Sequence, residues 1–291
     1  MNDDPFVAHR SLLFTVAYEM TGSAADAEDV VQEAWLRWAD VDQSEVRDPR
    51  AYLVRIVTRK ALDRLRALSR RREEYVGEWL PEPLLTSPDV AEDVELAESV
   101  SIAMLTVLET LGPTERAVFV LREVFEAPYD EIADAVGKTS AAVRQIAHRA
   151  REHVAAHRPR MRVTRSEQEE AVERFLVAIR GGDLQHLLDV LAPDVVAVGD
   201  GGGLVPGARK PLVGHDRVAR GLAAFGTIAP GVELSTVWLN GAPGVRVDLD
   251  GEVVGAISLS VENGRITRIY AIGNPHKLAG LGQEARLSRA L

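Results

Sequence analysis

Arg144, Gln145, His148 and Arg149 fall on one side of a helix at 100° per residue. Arg and Gln offer paired hydrogen-bonding atoms that fit base edges in the major groove, and further Arg neutralises phosphates. A second set lies upstream: Arg55, Arg59, Arg66 and Arg70 line one helical face with Asp63 between them. A helix of that kind can lie along a phosphate backbone. A third set, Asp29, Gln32 and Glu33, is acidic and polar. It suits simple solvation or a docking surface for a basic protein, but not DNA. Groups able to do acid–base work are His186, Asp194, Asp200, His215, Asp216 and Tyr270, and no spacing among them signals catalysis. His153 and His157 stand four apart, and solvated histidines account for them better than a metal pair.

The elements that must position these groups are legible. PYDEIADAVGKTSAAVRQIAHRAREHV (128–154) has the form of a helix-turn-helix. Ile132, Ala133 and Val136 supply the apolar face of its first helix, Gly137 permits the sharp turn, and Thr139 or Ser140 caps the second. Val143, Ile146, Ala147, Ala150 and Val154 form the second helix's buried stripe. In the segment 51–73 the buried stripe is Leu53, Val57, Ala61, Leu65 and Leu68, and Asp48-Pro49 opens that helix. In DAEDVVQEAWLRW (26–38), Val30, Ala34 and Trp38 point inward and Ser23 is the N-cap.

Charge divides the 291-residue chain, whose formal total is −10. Residues 46–72 hold ten Lys or Arg against two acids, and 73–115 hold eleven acids and no Lys or Arg. Bases crowd again after Lys138. The net charge argues against nucleic acid only as an average; the blocks mark separate surfaces. Without cysteine there are no disulfides, thiolate metal sites or cysteine nucleophile. The acidic start MNDDPF is unlike a targeting peptide, and no uncharged apolar run approaches the ~18 residues that span a bilayer. A soluble, cytoplasmic protein is expected, with no catalytic, cofactor or metal residues assigned. Two small helical domains, 1–74 and 100–158, flank an acidic linker, 75–99, whose Trp79-Leu80-Pro81-Glu82-Pro83 run disfavours helix. An α+β domain follows over 166–285, with helices at 168–180 and 183–191 and strands at 195–199, 232–239, 244–249, 252–261 and 264–272.

DAEDVVQEAWLRW, AYLVRIVTRKALDRLRA and the helix-turn-helix ending AAVRQIAHRARE, in that order, resemble the bacterial extracytoplasmic-function (ECF) sigma factors, the subunits that give RNA polymerase its promoter specificity. The resemblance covers about residues 5–157 and implies a region 2 helical bundle and a region 4 helix-turn-helix. It implies that Asp29, Gln32 and Glu33 grip core polymerase. Arg55, Arg59, Lys60, Asp63 and Arg64 are its carried-over −10 residues, and Arg144, Gln145, His148 and Arg149 its −35 residues.

Residues 166–285 further resemble a SnoaL-like domain of the NTF2-like superfamily, a cone of curved sheet and helices around a pocket that could hold a small-molecule ligand. In the ECF subgroup carrying such a fusion, the marks are a WLPEP linker, a DGGG loop and an NPDKL-like motif. Here they read Trp79, Leu80, Pro81, Glu82 and Pro83; Asp200, Gly201, Gly202 and Gly203; and Asn274, Pro275, His276, Lys277 and Leu278. His276 stands where the pattern has Asp, which leaves any role of that carboxylate open. The resemblance implies regulation in cis, through contact between linker and C-terminal domain. Two alternatives stand beside it. A one-component ligand-responsive repressor would explain the helix-turn-helix and a pocket but not residues 26–38 or the first basic helix. A SnoaL-like cyclase or isomerase fused to a DNA-binding region would need acid–base spacing that the candidates lack.

Overall fold

Gly22 and Ser23 end one helix and begin the next. Gly22 takes a left-handed conformation and returns its N–H to Tyr18 O, while the Ser23 hydroxyl accepts from Asp26 N. Thr139 and Thr164 cap later helices in the same way. The structure is a computed structural model that describes residues 4–72, 75–158, 163–182, 184–205, 210–228 and 231–289. Contacts divide the chain into two units: Met1–Glu74, Met104–Arg158 and Arg286–Leu291 in the first, Tyr75–Ala103 and Pro159–Ala285 in the second.

The first unit is all helical. α1 (Pro5–Thr21), α2 (Ala24–Ala39) and α3 (Pro49–Arg72) pack around Leu13, Tyr18, Val30, Trp38, Leu53 and Val57. Each of α1 and α3 opens on proline, which lacks the N–H that a helix start leaves unpaired. The acid before it, Asp4 or Asp48, accepts a backbone N–H of the first turn. The later helices run from α5 (Ile102–Leu108, following α4, Val94–Val100) through α6 (Pro113–Phe119) and a π-helical turn at Val120–Val124 to α7 (Tyr129–Val136) and α8 (Ser140–His157). α7 and α8 form the expected helix-turn-helix: Gly137 is left-handed at φ 68° and Thr139 caps α8. α3 packs on α6 and α7 within this unit. One cation is sealed inside it. Arg116, 1% exposed, donates to Glu19 O at 2.9 Å and to Glu109 Oε1 at 2.5 Å. Burial pulls its pKa down, and the charge of Glu19 opposes that pull.

The second unit is α+β. Among the described residues its six strands are β1 (Leu191–Asp200), β2 (Leu212–Val213), β3 (Val232–Leu239), β4 (Ala242–Leu249), β5 (Glu252–Glu262) and β6 (Arg265–Ile272), in the spatial order β2-β1-β6-β5-β4-β3. β1 and β6 are parallel and the other pairs antiparallel. Asn240-Gly241, Asp250-Gly251 and Asn263-Gly264, all at positive φ, make the three two-residue hairpin turns. An extra residue in the β5–β6 ladder beside Ser260 and Val261 lets Ile266 and Ile269, three apart, share a face. That face is buried by α9 (Arg165–Gly181), α10 (Leu184–Val190) and α11 (His215–Ile228) around Phe175, Leu187, Val218 and Val245. Tyr270 and Ile272 point the other way, into a second core with Leu80, Ile102, Leu239 and Leu278 of α12 (Pro275–Leu278).

Leu80 of the acidic segment, and Ile102 and Ala103 just beyond it, are buried together in the second unit's core. Strands fall close to the expected positions. α11 and β2 were not among the expected elements: Gly221 interrupts the helical pattern of 215–228, and a two-residue strand has no period to detect. No helix among the described residues is long and apolar enough to cross a membrane.

Candidate functional site

Asp200 ends β1 with its side chain wholly out of solvent. Oδ1 accepts from the Tyr75 hydroxyl at 2.5 Å and from Gly202 N at 3.1 Å; Oδ2 accepts from Leu80 N at 2.8 Å and Lys277 Nζ at 2.7 Å. Four donors fill the four lone-pair directions of a carboxylate. Lys277 also donates to Leu80 O at 2.5 Å and lies 3.2 Å from the centroid of the Trp79 ring. Asn274 donates to Tyr75 from Nδ2 and accepts from His276 N, capping α12, with Pro275 at its first position. Burial and the bond to Asp200 push the Tyr75 phenol well above its ordinary range, so it stays a donor.

The DGGG and NPHKL motifs are thus built around the linker. A Cβ on Gly202 would stand 2.5 Å from Asn274 Nδ2, and one on Gly203 would stand 3.1 Å from Val76. Leu80 is the deepest anchor, fully buried, with Pro81 and Pro83 buried beside it and Glu82 half-buried. Trp79 is half-buried and serves as the face for the ammonium. His276 is exposed, and only its backbone joins the motif.

In the first unit the structure brings the acidic and basic candidates together. Asp29, Gln32 and Glu33 are exposed on α2, yet Glu33 pairs with Lys60 at 2.7 Å and Asp29 with Arg64 at 2.9 Å. Arg64, half-buried, also holds Asp26 at 2.5 Å; hydrogen bonding there raises its pKa. Arg59 is turned to α7, donating to the carbonyls of Asp134 at 2.7 Å and Ala135 at 3.4 Å. Arg55 lies over the Tyr52 ring and Asp63 pairs with Arg66. The Arg70 side chain lies outside the described residues.

On α8 the expected face forms: Arg144, Gln145, His148 and Arg149 are all exposed while the five stripe residues are buried. Arg144 lies 5.3 Å from the Tyr129 ring, His148 is 3.6 Å from Glu152, and Arg149 is 3.9 Å from Glu115. His153 bonds Thr110 and stacks on His157. Of the acid–base candidates, His186, Asp194 and Asp216 are exposed, and Tyr270 is buried in the second core with its pKa raised by desolvation. Sequence reasoning missed Tyr75, whose neighbours in sequence give no sign of a partner 125 residues away. It also missed Asn240, which reads simply as half of a turn.

A three-helix bundle with an acidic α2 and a basic α3 is thus followed along the chain by a helix-turn-helix. Residues 6–71 match Sigma-70 region 2 and residues 101–154 match Sigma-70, region 4. The chain is 38% identical to the ECF RNA polymerase sigma factor SigJ of Mycobacterium tuberculosis, over 96% of this chain and 94% of that one. It is 35% identical to the probable ECF RNA polymerase sigma factor SigI of the same species, over 95% and 94%. The crystal structure of Mycobacterium tuberculosis SigJ superposes with a TM-score of 0.76 at 36% identity, covering 94% of this chain and 97% of that chain. The chain belongs to the ECF sigma factors. It binds core RNA polymerase and directs promoter recognition and transcription initiation.

Proposed function

We propose that the C-terminal domain of this sigma factor acts in cis, by holding the segment between regions 2 and 4 and so setting how far apart the two regions can work. The observation that carries this reading is the saturation of buried Asp200 by Tyr75, Gly202, Leu80 and Lys277. Two of those four donors, Tyr75 and Leu80, belong to the inter-region segment. An isolated carboxylate–ammonium pair inside a protein costs desolvation, and here the linker's own N–H, O–H and carbonyl groups complete its solvation. The same saturation opposes an acid–base role, because Asp200 has no lone pair left for a substrate proton.

Within the sigma core, Asp29, Gln32 and Glu33 are assigned to polymerase, Arg55, Arg59, Lys60, Asp63 and Arg64 to the −10 region, and Arg144, Gln145, His148 and Arg149 to the −35 region. On this reading Lys60 and Arg64, which hold acids of α2, and Arg59, which holds carbonyls of α7, exchange those partners for DNA on promoter binding. The test of cis action is run-off transcription with core enzyme, comparing the full chain with Asp200→Ala and with a chain ending after residue 165. Altered output and altered core affinity are expected; if both match the full chain, the cis-acting reading fails.

A further inference from the structure

Three hairpin turns of the second unit have the same backbone, yet one differs in its surroundings. Around Gly251 and Gly264 an added Cβ would meet nothing within 4 Å, and Asp250 and Asn263 are exposed. In the third turn Asn240 is 1% exposed, and a Cβ on Gly241 would stand 2.9 Å from Ala97 Cα and 3.2 Å from Val90 Cγ1. The turn geometry needs only positive φ at both positions, which an exposed pair supplies equally well. Burial of the Asn240 amide therefore has another cause.

That cause is the inter-region segment. Asn240 Oδ1 accepts from Leu84 N at 2.9 Å and Nδ2 donates to Val100 O at 2.8 Å. One side chain thus ties two points of the segment sixteen residues apart, Leu84 and Val100. Backbone bonds extend the contact: Asn240 N to Leu84 O at 3.0 Å and Thr86 N to Trp238 O at 3.0 Å, with Leu85 bridging antiparallel to Leu239. Gly241 N donates to Thr86 Oγ1 at 3.1 Å, and Ala285 N donates to Leu85 O at 2.8 Å. β3 is the outer strand of the sheet, whose unpaired edge is a template for an added strand.

We infer that the Asn240-Gly241 turn and the end of β3 form a second clasp on the inter-region segment. It is separable from the Asp200–Lys277 clasp and closes residues 84–100 into a loop that opens as its own step. This deepens the cis-acting reading and rests on it. The first clasp holds Tyr75 and Leu80; the second holds Leu84, Thr86 and Val100, whose successors lead directly into α5. With both closed, the reach between regions 2 and 4 is that of a folded loop. With the second open, residues 84–93 add up to ~3.5 Å each and α4 about 1.5 Å per residue.

The test is amide hydrogen exchange on the full chain. Asn240→Gly keeps the turn's conformational freedom while removing both side-chain bonds, and Thr86→Val removes the acceptor of Gly241 N with little change of shape. Expected in Asn240→Gly is an increase of at least about ten-fold in exchange at Leu84 and Thr86, with Leu80 still protected. In Thr86→Val, Gly241 should exchange faster, again with Leu80 protected, which keeps the test alive if the first variant does not fold. Core-polymerase affinity should shift at least about five-fold in Asn240→Gly, in the same direction as in Asp200→Asn. Exchange at the wild-type rate, or loss of protection at Leu80 by the same factor, overturns the second clasp. Freed Leu84 with wild-type affinity, while Asp200→Asn shifts it, overturns the regulatory share of that clasp. If neither variant shifts affinity, the cis-acting reading itself has failed, whatever the exchange at Leu84.

Discussion

The Lys277 ammonium lies 2.7 Å from Asp200 Oδ2, with both side chains almost wholly excluded from water. The two residues are 77 positions apart and meet over the backbone of Leu80, whose N–H goes to the carboxylate and whose carbonyl accepts from the ammonium. A peptide unit of the inter-region segment is thereby inserted into a buried ion pair.

Removing one charge should cost more than removing both. Asp200→Asn leaves a buried ammonium facing Leu80 O and the Trp79 ring, and a loss of about 3–5 kcal/mol is expected. Lys277→Met should cost less, because Asp200 keeps Tyr75, Gly202 N and Leu80 N as donors. The double variant should regain part of the Asp200→Asn loss, since no unpaired buried charge remains. Urea unfolding followed by tryptophan fluorescence gives the three values; a double variant less stable than Asp200→Asn alone contradicts the argument.

Gly202→Ala and Gly251→Ala separate backbone strain from linker contact. Both glycines have positive φ, 59° and 84°, so alanine is strained at each by about 1–2 kcal/mol. Only at Gly202 does the new Cβ also meet Asn274 and Tyr75, at 2.5 Å and 3.1 Å. Gly202→Ala should therefore expose the Leu80 amide to exchange, whereas Gly251→Ala should lower stability without doing so. Equal protection of Leu80 in the two variants would show that the DGGG loop does not seat the linker.

The Tyr75 contact has a defined pH limit. Its pKa is raised on folding, so the protonated phenol is favoured and its contribution is complete below the unfolded value near 10. Above that, the unfolded chain gives up this proton first and stability falls as pH rises. The Tyr75 contribution should hence be flat from about pH 6 to 9 and fade only in stronger alkali. The difference in phenolate absorbance between the full chain and Tyr75→Phe reads this group directly; a midpoint at or below 10 would contradict the buried bond to Asp200.

How much of this was written in the sequence depends on the range of each signal. Ser23, Asp48-Pro49, Gly137 and Thr139 act within four residues of themselves, and the helices they delimit formed as expected. The buried stripes of α3 and α8 and the exposed Arg144 face follow from the helical period alone. The carboxylate of Asp200 and the glycines after it were singled out by their motif, but not the reason for them. That reason is Tyr75 and Val76, which no local rule connects to positions 200–203. Charge told least about partners. The basic face of α3 looked free for DNA, but Arg59, Lys60 and Arg64 meet α7 carbonyls or α2 acids in the free chain, since exposed cations take the nearest acceptor.

The helix-turn-helix offers a contrast between two arginines of α8. Arg151 is bound by both oxygens of Glu123, at 2.7 Å and 3.1 Å, and this pairing raises its pKa. Arg144 meets no carboxylate within ion-pair distance among the described residues; its guanidinium lies over Tyr129. A guanidinium already forked onto a carboxylate has to give up those bonds before it can fork onto guanine, and Arg144 pays no such toll. Arg144→Ala in the full chain, assayed with core polymerase, should weaken promoter-directed run-off by about 1–3 kcal/mol of discrimination, lost at particular −35 positions. Arg151→Ala should leave that base preference intact and act on stability alone, by about 1 kcal/mol or less for a surface pair. A −35 substitution series run with each variant checks this. If Arg151→Ala relaxes base preference and Arg144→Ala does not, the reading face of α8 has been placed on the wrong side.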